Sequence, residues 1–505
     1  MNSSNNTINL YNTVAGSGKS SKARTDIAES KNKTLVIVPS RNLCNEWKEK
    51  LIEIDSDISI KLIYRDDKKE GMSSSSTKRF LKEMVDSESR VVITTHATFN
   101  LAVRDGFKLL DQYDLYIDEA MNTHEIHDFR FYKDGFNYIK NYVDFKADAN
   151  TNLYRVVANR ELDNRMKGIA SGDESKVDSI MNDKEGKFKS LFTFLLSAGH
   201  DTYVSKETVE KFESINDGTE TTTTEFGLVS VVKPDIFKQF SSVTILSAFF
   251  HFTESYHVLK FLGYDFVELE KSLTHDRENI HIHYYINRNF TAKIRDEMKN
   301  SRGNGIIDYM LEHAMSVIQN EKYIACMNDS SIDKLKGNYE VVNAPHGLND
   351  YDTIQHAIKF QSANANSSVA SAFLSIFGIT RDIIDRDRNV LLAYQFVMRT
   401  CIRNRAAAYA NKVVNLFVTD KRHAEFLQQA FTNATISKHD VPQILSIMKA
   451  YNINDNVKST IPKSAYDFKS KFEAKIKNNL KITDKSLKKY HEIMDEFYPT
   501  YIKLI

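Results

Sequence analysis

The sequence predicts an α/β fold made of two parallel-sheet domains in tandem. Short runs rich in β-branched residues recur along the chain, and each is followed by a polar turn and a helix-like segment. Such alternation is typical of parallel strands connected by helices that cover a sheet. The runs form two series, at residues 8–11, 34–38, 91–95, 115–117 and 243–246, and at residues 323–327, 339–342, 390–394 and 413–418.

Changes of pattern along the chain give the expected domain limits. We assign residues 1–270 to a first α/β domain and residues 271–420 to a second. Aromatic and charged helix-like segments between about residues 125 and 240 predict an insertion in the first domain. Residues 421–505 are predicted to form a helical C-terminal appendage, in which residues 463–489 hold nine lysines. Those lysines form either a face that contacts phosphates or a solvated helix surface.

Composition limits the classes of protein to which the chain can belong. Of its 505 residues 41% are hydrophobic, which is enough for a core in each domain. The 68 Lys and Arg balance the 67 Asp and Glu, so binding to a polyanion requires a local basic surface. No apolar run approaches the roughly 18 to 20 residues of a membrane span, and the three cysteines are too far apart to suggest a metal site. We expect a protein of the cytoplasm, or of the host cytoplasm for a virus or phage, with no membrane partner.

A glycine-rich loop at residues 13–20 is the strongest functional signal. It follows an apolar run and precedes a helix-compatible segment, which is the setting of a phosphate-binding loop. Its glycines would let backbone N–H groups close around phosphates, Lys19 would reach the β- and γ-phosphates, and the hydroxyl of Ser20 would bind Mg²⁺. Thr13 stands in place of the first glycine of the general pattern. The predicted ATP-binding residues are Gly16, Ser17, Gly18, Lys19 and Ser20.

An apolar strand that ends in Asp118 and Glu119 supplies the catalytic partner of such a loop. A lone Asp-Glu pair is usually surface charge, but here it follows a strand and has a phosphate loop roughly one hundred residues upstream. Asp118 would hold the Mg²⁺ shell, and Glu119 would orient and polarise the attacking water. The two motifs together predict a Mg²⁺-dependent ATPase.

The motifs resemble those of superfamily 2 helicases, whose second motif reads Asp-Glu-x-His or a variant and here reads Asp-Glu-Ala-Met at residues 118–121. Further motifs occur in the same order as in that family. Residues 38–41 resemble motif Ia, residues 93–96 resemble motif Ib, and residues 246–249 resemble motif III, with Phe249 in the place of a threonine. The resemblance implies two RecA-like P-loop domains with ATP between them. It further implies that nucleic acid is contacted by Ser40, Arg41, Thr94, Thr95 and His96. Ser247 and Ala248 would couple ATP hydrolysis to movement along the strand.

Residues 395–403 resemble motif VI and imply catalytic roles for Gln395, Arg399 and Arg403. In such a motif a guanidinium neutralises the γ-phosphate as it leaves. The two arginines are four residues apart, which predicts a shared helix face. In the family the two arginines are usually three residues apart, so either Arg399 or Arg403 can be the one that neutralises the γ-phosphate. Residues 346–349, which read His-Gly-Leu-Asn, resemble the arrangement of some viral, phage and plasmid replication helicases.

The resulting hypothesis is an ATP-dependent helicase or translocase in the replication or recombination of a phage or mobile element. It would act on single-stranded DNA or RNA, with DNA favoured, and would use ATP and Mg²⁺. Replication proteins are candidate partners. Two alternatives stay open: a DNA-packaging ATPase of the phage terminase type, and a nucleic-acid-binding protein in which the nucleotide is only a structural clamp.

Overall fold

The computed structural model of the chain describes residues 6–65, 76–86, 88–109, 112–131, 133–148, 151–171, 187–214, 224–343, 351–365, 367–404, 406–453 and 455. These residues divide into two units. Unit 1 holds the described residues up to 273 together with those of 363–395, and unit 2 holds those of 274–343, 351–362 and 396–455. Each unit contains a parallel sheet with helices, which confirms the predicted α/β fold class.

Unit 1 is built on a seven-stranded sheet in which every neighbouring pair of strands is parallel. Its strands β2 and β4 are buried almost throughout, as expected for a parallel sheet that is covered on both faces. The first half of the unit contains β1 (Thr7–Thr13), α1 (Lys19–Glu29), β2 (Lys33–Val38), α2 (Arg41–Ile54), β3 (Ile60–Ile63), α3 (Ser76–Asp86), β4 (Val91–Thr95), α4 (His96–Arg104) and β5 (Tyr113–Asp118).

An inserted subdomain follows β5. It contains β6 (His124–Phe131), α5 (Lys133–Tyr142), β7 (Val143–Ala147), β8 (Leu153–Ala158), α6 (Asp163–Ser171), α7 (Lys187–Leu195), β9 (His200–Ser205), α8 (Lys206–Glu213) and β10 (Thr224–Val232). The strands form an antiparallel sheet of order β6-β10-β9-β8-β7. The helix-like interpretation of this segment therefore needs correction. The pairing of β6 with β10 joins residues that are far apart in the sequence, and local periodicity does not reveal such a pairing.

The chain then returns to the first sheet through α9 (Pro234–Phe237), β11 (Ser242–Leu246), α10 (Glu254–Phe261) and β12 (Asp265–Ser272). The strand order is β12-β1-β11-β5-β2-β4-β3, so that β1, β11 and β5 are neighbours. Because the strands are parallel, the loops after β1, β2, β4, β5 and β11 lie at the same edge of the sheet. All the motifs predicted in the first domain lie at this carboxyl edge.

Unit 2 begins with β13 (Ile280–Tyr284), α11 (Ala292–Asp296), α12 (Ile306–Ile318), β14 (Tyr323–Cys326), β15 (Tyr339–Val341) and β16 (His356–Lys359). Three helices of unit 1 follow in the chain, namely α13 (Ser367–Phe377), α14 (Arg381–Asp385) and α15 (Leu392–Val397), with a π-helical segment at Arg386–Leu391 between the last two. The helix α15 ends in unit 2, since the boundary between the units falls after Gln395.

The placement of residues 363–395 in unit 1 differs from the prediction, which assigned them to the second domain. The reason is packing: Phe373 and Ile376 of α13 share one buried core with Val229 and Val231 of β10. Residues 390–394, predicted as a strand, are helical. A short apolar run that is buried on all sides does not distinguish a strand from a helix.

Unit 2 is completed by α16 (Ala407–Ala410), β17 (Val414–Val418), α17 (Lys421–Ala430), β18 (Thr435–Lys438) and α18 (Pro442–Ala450). Its six-stranded parallel sheet has the order β15-β14-β16-β17-β13-β18. Because β18 pairs with β13, this sheet extends beyond residue 420, where the helical appendage was predicted to begin. The lysine-rich residues 463–489 and residues 346–349 lie outside the described residues. None of the helices in the described ranges is long and apolar enough to cross a membrane.

Candidate functional site

The predicted phosphate loop is the turn between β1 and α1. Gly16 and Gly18 have φ angles of 78° and 99°, in the left-handed region that glycine adopts without steric cost. Helix α1 begins at Lys19, so the N–H groups of its first turn lie beside the loop, as an anion site requires. The ammonium group of Lys19 donates hydrogen bonds to the carbonyl oxygens of Thr13 and Val14, at 2.9 and 3.1 Å. The lysine cation is thereby held against the loop.

Thr13, which replaces the first glycine of the general pattern, closes this loop. Its hydroxyl lies 2.6 Å from the hydroxyl of Ser17, and the two share a hydrogen bond. The N–H of Ser17 also donates to the carbonyl of Val14, at 3.3 Å. The departure from the pattern thus adds a side-chain bond across the loop.

The carboxylate of Asp118 is buried at the end of β5, next to the start of α1. The hydroxyl of Ser20 lies 3.3 and 3.2 Å from its two oxygens, and the indole N–H of Trp47 donates to Oδ2 at 2.8 Å. Burial, followed by the negative charge of Glu119, raises the pKa of Asp118 from 3.8 to about 6, whereas Trp47, Lys19 and Ser20 act in the opposite direction.

Ser20 and Asp118 fit the requirements of a Mg²⁺ ion. A hydroxyl and a carboxylate are hard oxygen donors, which Mg²⁺ prefers, and these two groups are already in contact. A divalent cation held by them would offset the cost of burying the Asp118 charge. When bound, Mg²⁺ would supply positive charge to the phosphate oxygens.

Glu119 has an unusual backbone conformation, with φ of 65°. Such left-handed residues are uncommon outside glycine, and they cluster at functional sites. Its N–H donates to the carbonyl of Leu246 at 3.0 Å, which joins the end of β5 to the end of β11. Glu119 lines a cavity of about 480 Å³ together with Gln395 and Arg388. Gln395 therefore lies in unit 1 and lines the same cavity as Glu119.

The predicted coupling residues follow β11. The N–H of Ser247 donates to the carbonyl of Tyr11 in β1 at 3.2 Å, and its hydroxyl lies 3.4 Å from the carbonyl oxygen of Ala248. Phe249 is buried and has a φ of 55°, again left-handed. The loop after β11 is thus tied to the strand that leads into the phosphate loop.

A second cavity, of about 530 Å³, lies at the same carboxyl edge where helices α2 and α4 begin. Ser40 caps α2 by accepting a hydrogen bond from the N–H of Leu43, and Thr95 caps α4 by accepting one from the N–H of Thr98. Helix N-termini and guanidinium groups both favour phosphate. The wall of this cavity is formed by Pro39, Ser40, Arg41, Asn42, Arg65, Ser76, Thr95, Ala97, Thr98 and Leu101.

Two of the residues predicted to contact nucleic acid have other roles in the structure. Thr94 is fully buried in β4, and its hydroxyl donates to the carbonyl of Ile63 in β3, at 2.6 Å. It is therefore not accessible to a ligand, and its predicted contact with nucleic acid needs correction. The ring Nε2 of His96 lies 3.0 Å from the backbone carbonyl oxygen of Asp118, so the start of α4 is linked to the end of β5.

The predicted motif VI arginines do not share a helix face. Helix α15 ends at Val397, and Arg399 lies in the turn that follows, whereas Arg403 lies in a short 3₁₀ turn. Both belong to unit 2; Arg399 is buried and Arg403 is exposed. The guanidinium of Arg277 holds this segment by donating to the carbonyls of Cys401 and Tyr409. The prediction from the i, i+4 spacing fails because the helix stops between the two arginines.

Sequence reasoning missed two side chains that contact the site. Trp47 belongs to the buried stripe of α2 with Cys44 and Leu51, and this spacing could have placed it inward but not against Asp118. Tyr394 lies outside the predicted motifs. Its hydroxyl nevertheless accepts a hydrogen bond from the N–H of Ala15 in the phosphate loop, at 2.8 Å.

No protein-family model and no curated protein matches the chain. Solved structures do match. One titled XPD, in its apo form, is 14% identical, covers 86% of this chain and 98% of its own, and has a TM-score of 0.47. Saccharomyces cerevisiae Dbp5 bound to RNA and ADP BeF3 is 10% identical over 90% of each chain, with a TM-score of 0.35. A DEAD box protein from Methanococcus jannaschii is 9% identical over 88% of this chain and 87% of its own, with a TM-score of 0.27. The chain is similar to these proteins in fold alone, and its two α/β units are established by the sheets themselves.

Proposed function

We propose that the chain is a nucleic-acid-dependent ATPase that moves along single strands as a helicase or translocase. The observation that carries the proposal is the arrangement at one edge of the first sheet. Lys19, Ser20 and Asp118 form a site suited to a nucleoside triphosphate and Mg²⁺. At the same edge, helix N-termini and arginines line a cavity suited to a phosphate backbone. The hydrogen bond of His96 to the Asp118 carbonyl joins the two.

The chemistry follows from the groups present. The backbone N–H groups of the loop and of the first turn of α1 would bind the phosphates. The ammonium of Lys19 would exchange the carbonyl oxygens of Thr13 and Val14 for phosphate oxygens. Glu119, which follows the buried Asp118, would accept a proton from the attacking water or orient it. Arg399 and Arg403 stay the candidates for neutralising the departing phosphate.

Nucleic acid would be recognised through its backbone. Ser40 and Thr95 offer hydroxyl groups at helix N-termini, and Arg41 offers a guanidinium. These groups bind phosphates whatever the base. We extend the proposal to both DNA and RNA, with DNA favoured. A role in the replication or recombination of a phage or mobile element rests on the sequence resemblance alone.

An ATPase titration against single- and double-stranded DNA and RNA tests this function, followed by strand displacement with the best activator. We expect single strands to raise kcat for ATP hydrolysis. We also expect the concentration of single strand that gives half-maximal stimulation to fall as the salt concentration is reduced. Bound ATP with no turnover under any of these conditions would contradict the proposal and favour a nucleotide clamp. Metal-dependent cutting of plasmid DNA would favour the packaging alternative.

A further inference from the structure

Tyr394 contacts both the phosphate loop and the loop after β11. Its hydroxyl accepts the 2.8 Å hydrogen bond from the N–H of Ala15. Its ring meets the ring of Phe249 edge to face, with centroids 4.9 Å apart and planes at 84°. All three residues belong to unit 1, and Tyr394 is fully buried. One side chain thus connects the loop that would hold phosphates with the loop that is predicted to couple ATP to nucleic acid.

The helix that carries Tyr394 is fixed to unit 1 at a second point. Within the π-helical segment, the guanidinium of Arg388 donates to both carboxylate oxygens of Glu254, and Asp387 accepts from the N–H of Glu254 at 2.7 Å. The ring of His124 lies 3.0 Å from the same carboxylate. π-Helical turns are rare, and those that occur are often found at functional sites. Anchored there, the helix presents Tyr394 to the phosphate loop.

Phe249 sits in a conformation that its neighbours must stabilise. Its φ of 55° is unfavourable for a residue with a bulky side chain. The ring is buried between Tyr394 and Phe252, whose centroid lies 6.2 Å away. The shape of the loop after β11 therefore depends on where the ring of Tyr394 lies.

We propose that Tyr394 is a positioning residue for the nucleotide site, and this rests on the proposed function. Its hydroxyl holds Ala15, and with it the phosphate loop, in the shape that receives a nucleoside triphosphate. Preorganisation of this kind raises affinity because the loop is ordered before the ligand arrives. Its ring passes a displacement of Ala15 to Phe249. The hydroxyl therefore sets nucleotide affinity, and the ring contact sets the response to nucleic acid.

Two variants and a matched control separate these roles. Tyr394→Phe removes the hydroxyl and keeps the ring, so we expect the Kd of a non-hydrolysable ATP analogue to rise about 2- to 12-fold, by a larger factor than any fall in kcat at saturating ATP. Phe249→Leu removes the ring pair, so we expect stimulation of ATP turnover by single strands to fall about 2- to 12-fold. In the control, Tyr264→Phe removes a buried hydroxyl that bonds the carbonyl of Pro234 elsewhere in unit 1, and it should leave the Kd as in the wild type.

A Kd unchanged by Tyr394→Phe would overturn the inference, and so would an equal rise in Tyr264→Phe. In either case the wild-type chain would still bind the analogue and respond to single strands, so the proposed function would stand. A wild-type chain that does not bind the analogue at all would overturn the proposed function and this inference with it.

Discussion

The indole N–H of Trp47 donates a 2.8 Å hydrogen bond to Oδ2 of Asp118. The ring of Trp47 is buried in α2, and the guanidinium of Arg24 lies 5.3 Å from its centre. Ser20 contacts the same carboxylate from α1. The carboxylate that would hold Mg²⁺ is thus oriented by donors from two helices. Ser20 of α1 belongs to the phosphate-loop motif, whereas Trp47 of α2 lies outside the motifs of the predicted ATP site.

Replacing Trp47 with Phe should impair catalysis more than stability. The variant keeps an aromatic ring in the core but removes the N–H, so Asp118 loses a donor to its buried charge. Hydrogen bonds to charged groups are worth about 1.5–3 kcal/mol, which corresponds to a loss of about 10- to 150-fold in kcat. Steady-state ATPase assays measure it. Phe107→Leu, which alters a buried apolar ring of the same unit, is the control, and an equal loss of kcat there would mean that the effect is only structural.

Glu119→Gln should bind ATP but fail to turn it over. The amide preserves the size of the side chain but neither accepts a proton nor polarises water as a carboxylate does. A general base contributes about 10²- to 10⁴-fold, so kcat should fall by that factor while the Kd of ATP changes little. Equilibrium binding and single-turnover hydrolysis give the two values. Wild-type turnover by this variant would exclude Glu119 as the residue that activates water.

Arg41→Ala should weaken the binding of single strands whatever their sequence. Arg41 is exposed at the start of α2 and lines the cavity beside Ser40 and Thr95. Loss of one phosphate contact should reduce the slope of log Kd against log salt by about one. Fluorescence anisotropy over a range of salt concentrations measures this slope. Lys50→Ala removes the same charge from an exposed position further along α2, and an equal change there would mean that only net charge matters.

Local sequence patterns were sufficient to place residues at the carboxyl ends of strands and in the turns that follow them. Lys19 and Asp118 lie where a strand, a turn and a helix succeed one another, and this succession is visible in a few neighbouring residues. Parallel strands then bring those turns to one edge of the sheet. For the same reason the α/β class of both units could be predicted without any knowledge of long-range contacts.

Contacts between distant segments could not be predicted in this way. Ala15 and Tyr394 are 379 positions apart, and nothing in either segment indicates the other. Thr94 is predicted to contact nucleic acid because it belongs to a motif, but its hydroxyl is bonded to the neighbouring strand. Arg399 and Arg403 were placed on one helix by their spacing, and the end of α15 at Val397 depends on packing within the fold.

A histidine cluster should make the stability of unit 2 sensitive to acid. Nδ1 of His283 lies 2.8 Å from Nε2 of His439, and the ring centroids of His313 and His439 are 4.1 Å apart. Burial, followed by the neighbouring His313 and His283, lowers the pKa of His439 to about 4. In the unfolded chain a histidine has a pKa of about 6.5, so the unfolded state takes up protons first as the pH falls. The contribution of His439 is fully present above pH 6.5 or so and is lost as the pH falls toward about 4.

His439→Gln should therefore reduce the acid sensitivity of unit 2. A neutral amide at this position keeps a polar neighbour for His283 and takes up no proton. Hydrogen exchange of the β13 and β18 amides, corrected for intrinsic rates, should show a smaller loss of protection between about pH 7 and about pH 5 than in the wild type. His281→Gln, on the same strand as His283, is the control. Identical pH dependence in the wild type and His439→Gln would contradict the assignment.

The most direct test of the proposed function compares Lys19→Ala with Lys22→Ala in an ATPase assay with and without single-stranded nucleic acid. Lys19 is held over the phosphate loop, whereas Lys22 lies three residues further along α1 and pairs with Glu270. We predict that single strands stimulate ATP turnover in the wild type and in Lys22→Ala, and that Lys19→Ala abolishes the stimulated turnover. Full stimulated turnover in Lys19→Ala would contradict the account.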